Sequence, residues 1–252
     1  MPTIVPEKKD IYPHPKMLKR IIKISIPASV SHSVTSFGFL ILQGFVNTFG
    51  TVVISTFSIG NRIINFFMLP AMGISSALAT IIGQNLGAKK VHRAVQSVKV
   101  SFALVLTIMT TGTILVFLFG SSLIRFFIND PEVIEIGRRM MRITSFAAAV
   151  FAVLFVFIGV FNGSGHTRPA MLFNISRLWF FRIPLVYILS GYILKLSLFD
   201  SDFFRKIFYP LSIPLAAYPY DALWWSMLIS NILAGLWAFT VYRKGKWKKG
   251  MI

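Results

Sequence analysis

No formally charged residue occurs between Ile24 and Asn61, and none between Ile63 and Ala88. Uncharged apolar stretches of this kind recur along the chain, and a run of this length can carry a helix across the ~30 Å hydrocarbon layer of a bilayer. Backbone groups in lipid must bond within their own segment, so these runs read as helices. Composition agrees. Of 252 residues, 55% are hydrophobic and 13% charged, against roughly 25% charged in soluble domains. Too few polar residues remain to clothe a single core in a hydrated shell. The expected fold class is all-α, a polytopic membrane protein.

Six spans fit the hydropathy, at about 18–48, 52–86, 94–119, 133–161, 170–196 and 222–242. They form one lobe over 18–243, preceded by a cytoplasmic linker-like segment at 1–17 and followed by a basic cytoplasmic tail at 244–252. Pro70 and Gly73 supply a kink in the second span. The run Asn129-Asp130-Pro131-Glu132 is a helix-start signal for the fourth. The connection 197–221 carries Pro210, Pro214 and Pro219, which forbid a regular helix, and is expected to lie as a hairpin at the headgroups. Six spans return the chain to its starting side, as one unit of a parallel tandem duplication must.

The formal net charge is +18, yet the basic residues fall mainly between apolar segments. That pattern suits membrane lipids and topology signals, and no nucleic-acid partner is expected. Lys and Arg density places both termini in the cytoplasm of a multi-pass protein of the cell membrane. Cysteine is absent, which removes disulfides and thiolate metal sites from consideration. Neither a nucleophile–base pair nor a metal triad is discernible, so no enzyme, cofactor or metal site is expected.

Polar residues inside spans are costly and mark function by default. The second span holds the densest set: Gly60-Asn61-Arg62-Ile63, Asn65, then Leu69-Pro70-Ala71-Met72-Gly73, and finally Gly83-Gln84-Asn85-Leu86-Gly87-Ala88. The first begins with Ile26-Pro27-Ala28 and carries Asn47 shortly before Gly50. Asp130-Pro131-Glu132-Val133-Ile134 opens the fourth, and Gly163-Ser164-Gly165-His166-Thr167-Arg168-Pro169 follows it. The fifth contains Arg182-Ile183-Pro184-Leu185, and Ser230-Asn231 precedes the tail. In these features and their order the chain resembles the multidrug and toxic compound extrusion (MATE) family, from about Met17 to Lys249. Pro27, Pro70, Gly73, Gly83, Gln84, Gly87 and Pro184 carry the resemblance as kinks and family motif. It extends to only the second of the family's two six-helix lobes. Two departures stand out: His166 follows Gly165 where the family usually has an acidic residue, and Ser31-His32-Ser33 stands where members often carry Glu or Gln.

The resemblance implies half of an efflux transporter that exports cationic or aromatic small molecules by antiport with H⁺ or Na⁺. A second six-helix lobe would be needed, either a separate N-terminal half or a second copy. The alternatives are a lipid-linked saccharide flippase of the same superfamily and a non-transporting truncated remnant. Coupling requires a membrane-embedded carboxylate, whereas all eight acidic residues here fall at helix ends or in loops. The coupling cation would therefore be bound mainly by the missing lobe.

Candidate substrate-pathway residues are His32, Gln43, Asn47, Asn61, Asn65, Phe66, Met68 and Met72. His32 stands ~12 Å into the first span and could accept the exchanged proton; its rival role is a neutral packing histidine. The amides can meet a drug or its waters, or serve as glue between helices. Phe66, Met68 and Met72, with Phe37 and Phe67, offer an adaptable apolar surface or plain packing. Arg62, Arg177 and Arg182 are expected to pair with carbonyls or headgroups. Trp224, Trp225, Trp237 and Trp247 fit an interfacial belt.

Overall fold

The computed structural model describes residues 15–190 and 218–249. Within them are six helices long and apolar enough to cross a membrane: α1 (Pro15–Asn47), α2 (Thr51–Gly87), α3 (Val91–Phe127), α4 (Pro131–Gly163), α5 (Thr167–Leu189) and α6 (Asp221–Arg243). A short 3₁₀ turn, Lys246–Lys249, follows α6. The proposed hairpin and most of the linker-like segment lie outside the described residues. Pro15, Lys16 and Met17, assigned above to that segment, form the first turn of α1.

Each turn between helices has a local cause. Gly50, with φ of 86°, turns the chain from α1 into α2, a left-handed conformation that glycine adopts without steric cost. At the α2–α3 corner the left-handed residue is Lys89, with φ of 58°. Its neighbour's N–H, on Lys90, returns to the Asn85 carbonyl at 2.8 Å, closing the helix in the manner of a Schellman end. At the start of α4, Asp130 accepts from the backbone N–H of Glu132 at 2.9 Å and of Val133 at 3.2 Å. Pro131 fills the first helical position, where no donor is needed.

α4 is the axis of the bundle. Along α2 the contacts Gly60–Met140, Ser75–Gly159 and Ala79–Gly163 ascend together, so α2 and α4 run parallel. Glycine permits the closeness. A Cβ on Gly159 would lie 2.6 Å from the Ser75 carbonyl oxygen, and one on Gly163 would lie 2.8 Å from Ala79 Cα. Gly159 and Gly163 thus face Ser75 and Ala79, four residues apart on each helix, the small-residue packing that lets membrane helices approach. The Ser75 hydroxyl adds a cross-helix bond to the Phe155 carbonyl at 2.7 Å.

The other registers follow α4. α3 runs antiparallel to it, with Ile124 over Gly137, Gly120 over Met141 and Phe102 against Phe157. These contacts explain why α3 continues to Phe127, beyond the predicted end at about residue 119: Gly120 and Ile124 are both buried against α4. α6 runs parallel to α4, from Arg139–Asp221 to Phe157–Phe239. Consequently Lys89, Lys90, Arg93, Arg168 and the basic tail gather at one end of the bundle. Arg138 and Arg139 sit at the other, each offset by a carboxylate (Glu135 at 2.7 Å, Asp221 at 3.5 Å).

Asp221 stands at a helix end, as expected, but is buried there. Only 3% of it is exposed, and Oδ1 has no partner among the described residues. Trp224 and Trp247 depart from the interfacial belt: both are buried, Trp224 stacked on Phe57 and Trp247 on Tyr242. Packing against a ring of comparable area decides their position, since a buried aromatic pair gains more than its burial alone.

α1 is the least enclosed helix. It leans on α5, where the Trp179 indole N–H donates to the Val34 carbonyl at 2.9 Å and the ring stacks on Phe37. We expect Trp179→Phe to remove that bond and cost about 1 kcal/mol. Backbone hydrogen exchange around Val34 should rise while exchange in α4 stays unchanged.

Candidate functional site

α1 and α2 present an open strip of mixed polarity. On α1, His32 is exposed and has no hydrogen-bond partner among the described residues, and Asn47 is exposed. Half-buried Gln43 donates from Nε2 to Asn47 Oδ1 at 3.1 Å, one turn on. On α2, Asn65 is exposed, Phe66 is 72% exposed and Met72 is 48% exposed. Asn61 is half-buried at the edge of the strip.

Met68 does not belong to this surface. It is 3% exposed and lies in the core with Ile64, Ala71 and the α4 side chains. Two residues along an α-helix is about 200° of rotation, so Met68 faces away from Phe66; Met72, one turn beyond Met68, leaves Phe66 on a different side as well. Gly83 packs toward α4, where a Cβ would lie 3.3 Å from the Gly163 carbonyl. Gly73 and Gly87 face open space, and Gln84 is exposed. Pro27 and Pro70 lie within α1 and α2. His166 turns back on its own loop, its Nδ1 within 3.2 Å of the carbonyl and hydroxyl oxygens of Ser164.

A second polar constellation lies inside the lobe. Between Ser176 and Arg182, α5 winds as a π-helix, and Pro184 follows. Pro184 has no N–H to return to the preceding turn, so the ladder there is already interrupted. In an α-helix, residues five apart diverge by about 140°. The i→i+5 winding of a π-helix brings them toward one side, and it brings Arg177 and Arg182 together. Both are 3% exposed. Arg177 Nη1 donates to Asn231 Oδ1 at 3.4 Å, and Arg182 Nη2 donates to the same oxygen at 3.0 Å. Arg182 Nε donates to Ser230 Oγ at 3.2 Å. The Arg177 guanidinium lies over the Phe151 ring, 4.0 Å from its centre.

Asn231 is the hub of this network. Its Nδ2 donates to the Ala147 carbonyl of α4 at 2.7 Å, which fixes the amide with Oδ1 toward the arginines. The arginines therefore meet an amide and a hydroxyl of α6, in place of the carbonyls or headgroups expected from the sequence. Arg62, in contrast, is exposed. A narrow crevice reaches the network from the α1–α2 side, bordered by Asn61, Arg182, Val186, Leu223, Ser226 and Met227, with Phe39, Leu42 and Phe57 as its apolar rim.

Six apolar helices with a charged pair held by amide and hydroxyl groups define a multi-pass membrane protein. The MatE family model matches residues 27–188, and the chain belongs to the MATE family. Among relatives, the probable multidrug resistance protein NorM of Thermotoga maritima is 27% identical over 174 residues, covering 69% of this chain and 38% of that protein. The multidrug export protein MepA of Staphylococcus haemolyticus is 25% identical over 183 residues, covering 73% and 40%. The Vibrio cholerae MATE transporter VcmN in its bent form superposes with a TM-score of 0.78 at 20% identity, over 94% of this chain and 48% of that one. An outward-facing multidrug resistance MATE transporter gives 0.79 at 17% identity, over 96% and 50%. The chain thus spans about half of those solved transporters, and its match covers about two-fifths of the curated relatives.

Proposed function

We propose that this chain is one half of a MATE-type efflux transporter, exporting cationic or aromatic small molecules by antiport with H⁺ or Na⁺ across the cell membrane. The observation that carries the reading is the open α1–α2 strip on a lobe matching half of a MATE transporter. Along α1 and α2 it exposes amides (Asn47, Asn65), an imidazole (His32) and soft apolar groups (Phe66, Met72). Such a surface suits substrates with an aromatic body and polar edges. A second six-helix lobe, encoded separately or supplied by another copy, would close the strip into a pathway. Rocking of the two lobes would then expose it alternately to each side.

The coupling cation is assigned mainly to the second lobe. The described carboxylates, Asp130, Glu132, Glu135 and Asp221, stand at or near the first turns of α4 and α6. Both termini are assigned to the cytoplasm, from the basic residues gathered at one end of the bundle. A flippase reading would need cations lining the strip for a pyrophosphate. Arg177 and Arg182 are buried and bonded to α6, so exposed Arg62 is what remains in its favour.

Resistance assays in a host lacking its own efflux pumps test the proposal. Co-expression with an N-terminal MATE lobe is expected to raise the tolerated concentration of a cationic dye several-fold, and Asn65→Leu with Phe66→Ala should remove that gain. If the chain confers no resistance with any partner lobe or as a homodimer, the transport reading fails and the remnant reading stands.

A further inference from the structure

We propose that the groove between α2 and α3, at the basic end of the lobe, is a binding site for one anionic phospholipid. Its phosphate sits on Arg93 and Gln96, and an acyl chain follows the apolar floor below them. The inference is independent of the transport reading above.

The dimensions of the groove match one leaflet. It holds about 600 Å³, within the ~300–1,000 Å³ of small-molecule sites. α2 lines it from Ile74 to Asn85 and α3 lines it from Arg93 to Leu104. Either stretch rises ~16 Å at 1.5 Å per residue, about half of the ~30 Å hydrocarbon layer. The two helices run antiparallel, so Asn85 and Arg93 meet at the basic end while Ile74 and Leu104 lie toward the middle of the bilayer.

Polarity is sorted by depth along this groove. Asn85, Arg93, Gln96 and Ser97 gather at its shallow end. Ile74, Leu78, Val100 and Leu104 form the deeper part, interrupted by the buried hydroxyl of Ser101. The shallow donors are not equally free. Asn85 Nδ2 donates to the Ile81 carbonyl at 2.8 Å, and the Ser97 hydroxyl donates to the Arg93 carbonyl at 2.9 Å. The Arg93 and Gln96 side chains are exposed and have no partner among the described residues. Three residues apart, they are neighbours on one helix face. A guanidinium fork beside an amide NH₂ suits a phosphate.

Charge selects the headgroup and the floor selects the tail. Lys89 and Lys90 are exposed just before Arg93, whereas the described carboxylates stand near the first turns of α4 and α6, at the opposite end. A cationic drug is repelled here, and a zwitterionic lipid brings its ammonium among the lysines. A free phosphate leaves the apolar floor unfilled. An anionic phospholipid satisfies both parts, and basic residues near the membrane surface attract such lipids by about 1 kcal/mol each. Met72 of the open strip lies two residues, about 200°, from Ile74, so a lobe seated over Met72 leaves this groove to lipid.

The chain has no cysteine, so a single introduced thiol reports one position. Leu104→Cys, in the groove, and Leu106→Cys, turned away from it at nearly the same depth, are each labelled with a small bimane. The two leucines are matched in exposure, at 50% and 51%. The whole chain is reconstituted in phosphatidylcholine vesicles, and quenching is titrated with phosphatidylglycerol or phosphatidylcholine brominated in mid-chain. Position 104 is expected to favour phosphatidylglycerol about fivefold, and position 106 to show no preference. Arg93→Gln should remove the preference, and Gln96→Leu should weaken it; both side chains are exposed, so neither change threatens the fold. Lys99→Gln, equal in charge change but outside the groove, should leave it intact. No preference at position 104, or one shared by position 106 or lost equally in Lys99→Gln, would overturn the proposal. Displacement by soluble glycerol 3-phosphate would do so too, by assigning the site to a free phosphate. A label at position 104 that neither lipid quenches would show the groove covered by protein and refute it as well.

Discussion

Replacing Gly163 by alanine is expected to be the most damaging single-methyl change in this lobe. The added Cβ would lie 2.8 Å from Ala79 Cα and 2.9 Å from the Ala79 carbonyl carbon. No rotamer change moves backbone atoms, so α2 and α4 must separate along the seam where the bundle is tightest. Overpacking of this kind costs about 1–3 kcal/mol when side chains can give way, and more when they cannot. We expect about 4 kcal/mol here, with loss of a monodisperse peak on size exclusion. Gly159→Ala should follow closely, since its contacts are the Ser75 carbonyl oxygen and Ser75 Cα. Gly60→Ala should be milder, because it meets the flexible ends of Met140 and Met141. Gly87→Ala, with nothing within 4 Å, should stay within about 0.5 kcal/mol of the unchanged chain. The order of these four variants tests the seam: glycine-to-alanine effects ranked by helix propensity alone would make them equal.

Much of the fold was legible in the residues, and the limits of that legibility are physical. The helix start at Asp130-Pro131 was readable because capping is a local property: donor, acceptor and proline sit within three residues of one another. The far end of α3 was not, because Gly120 and Ile124 continue the helix by packing on α4 and hydropathy carries no record of that partner. Met68 was placed with Phe66 for a related reason. α2 is apolar around most of its circumference, so composition does not say which stripe faces inward; α4 decides it. Trp224 and Trp247 followed a rule about lipid interfaces that a neighbouring ring overrides. Within the site, the exposed amides and His32 could be named from their cost in hydrocarbon. The pairing of Arg177 with Arg182 could not, since a period of 3.6 sets residues five apart on different sides and only π winding reunites them. Ser230-Asn231 was visible as a motif, while its partners lay some fifty residues away in sequence.

Replacing Asn231 by leucine is expected to cost nearly as much as Gly163→Ala, by a different route. Leucine nearly matches asparagine in size, so packing changes little, and the loss is electrostatic. Three contacts vanish together: the bonds from Arg177 and Arg182 to Oδ1, and the bond from Nδ2 to the Ala147 carbonyl. Interhelical hydrogen bonds in membranes average about 0.6 kcal/mol each, because the separated helices also find partners. That average describes neutral groups. Leaving buried charges without acceptors costs about 3–5 kcal/mol in soluble proteins, and a midplane arginine has no water within easy reach. The charged term should win, giving about 3 kcal/mol. A mutant cycle separates it from lost packing. If the penalty arises from stranded guanidinium groups, then Asn231→Leu added to Arg177→Met and Arg182→Met should cost under about 1 kcal/mol, only the Ala147 bond remaining to be lost. Asn231→Leu costing the same with and without the arginines would show that the network does not hold α5 to α6. Asn231→Asp supplies a third reading: it meets both arginines with a charge while turning an oxygen toward the Ala147 carbonyl. It should therefore retain more stability than leucine, because the aspartate itself offsets the arginine charge.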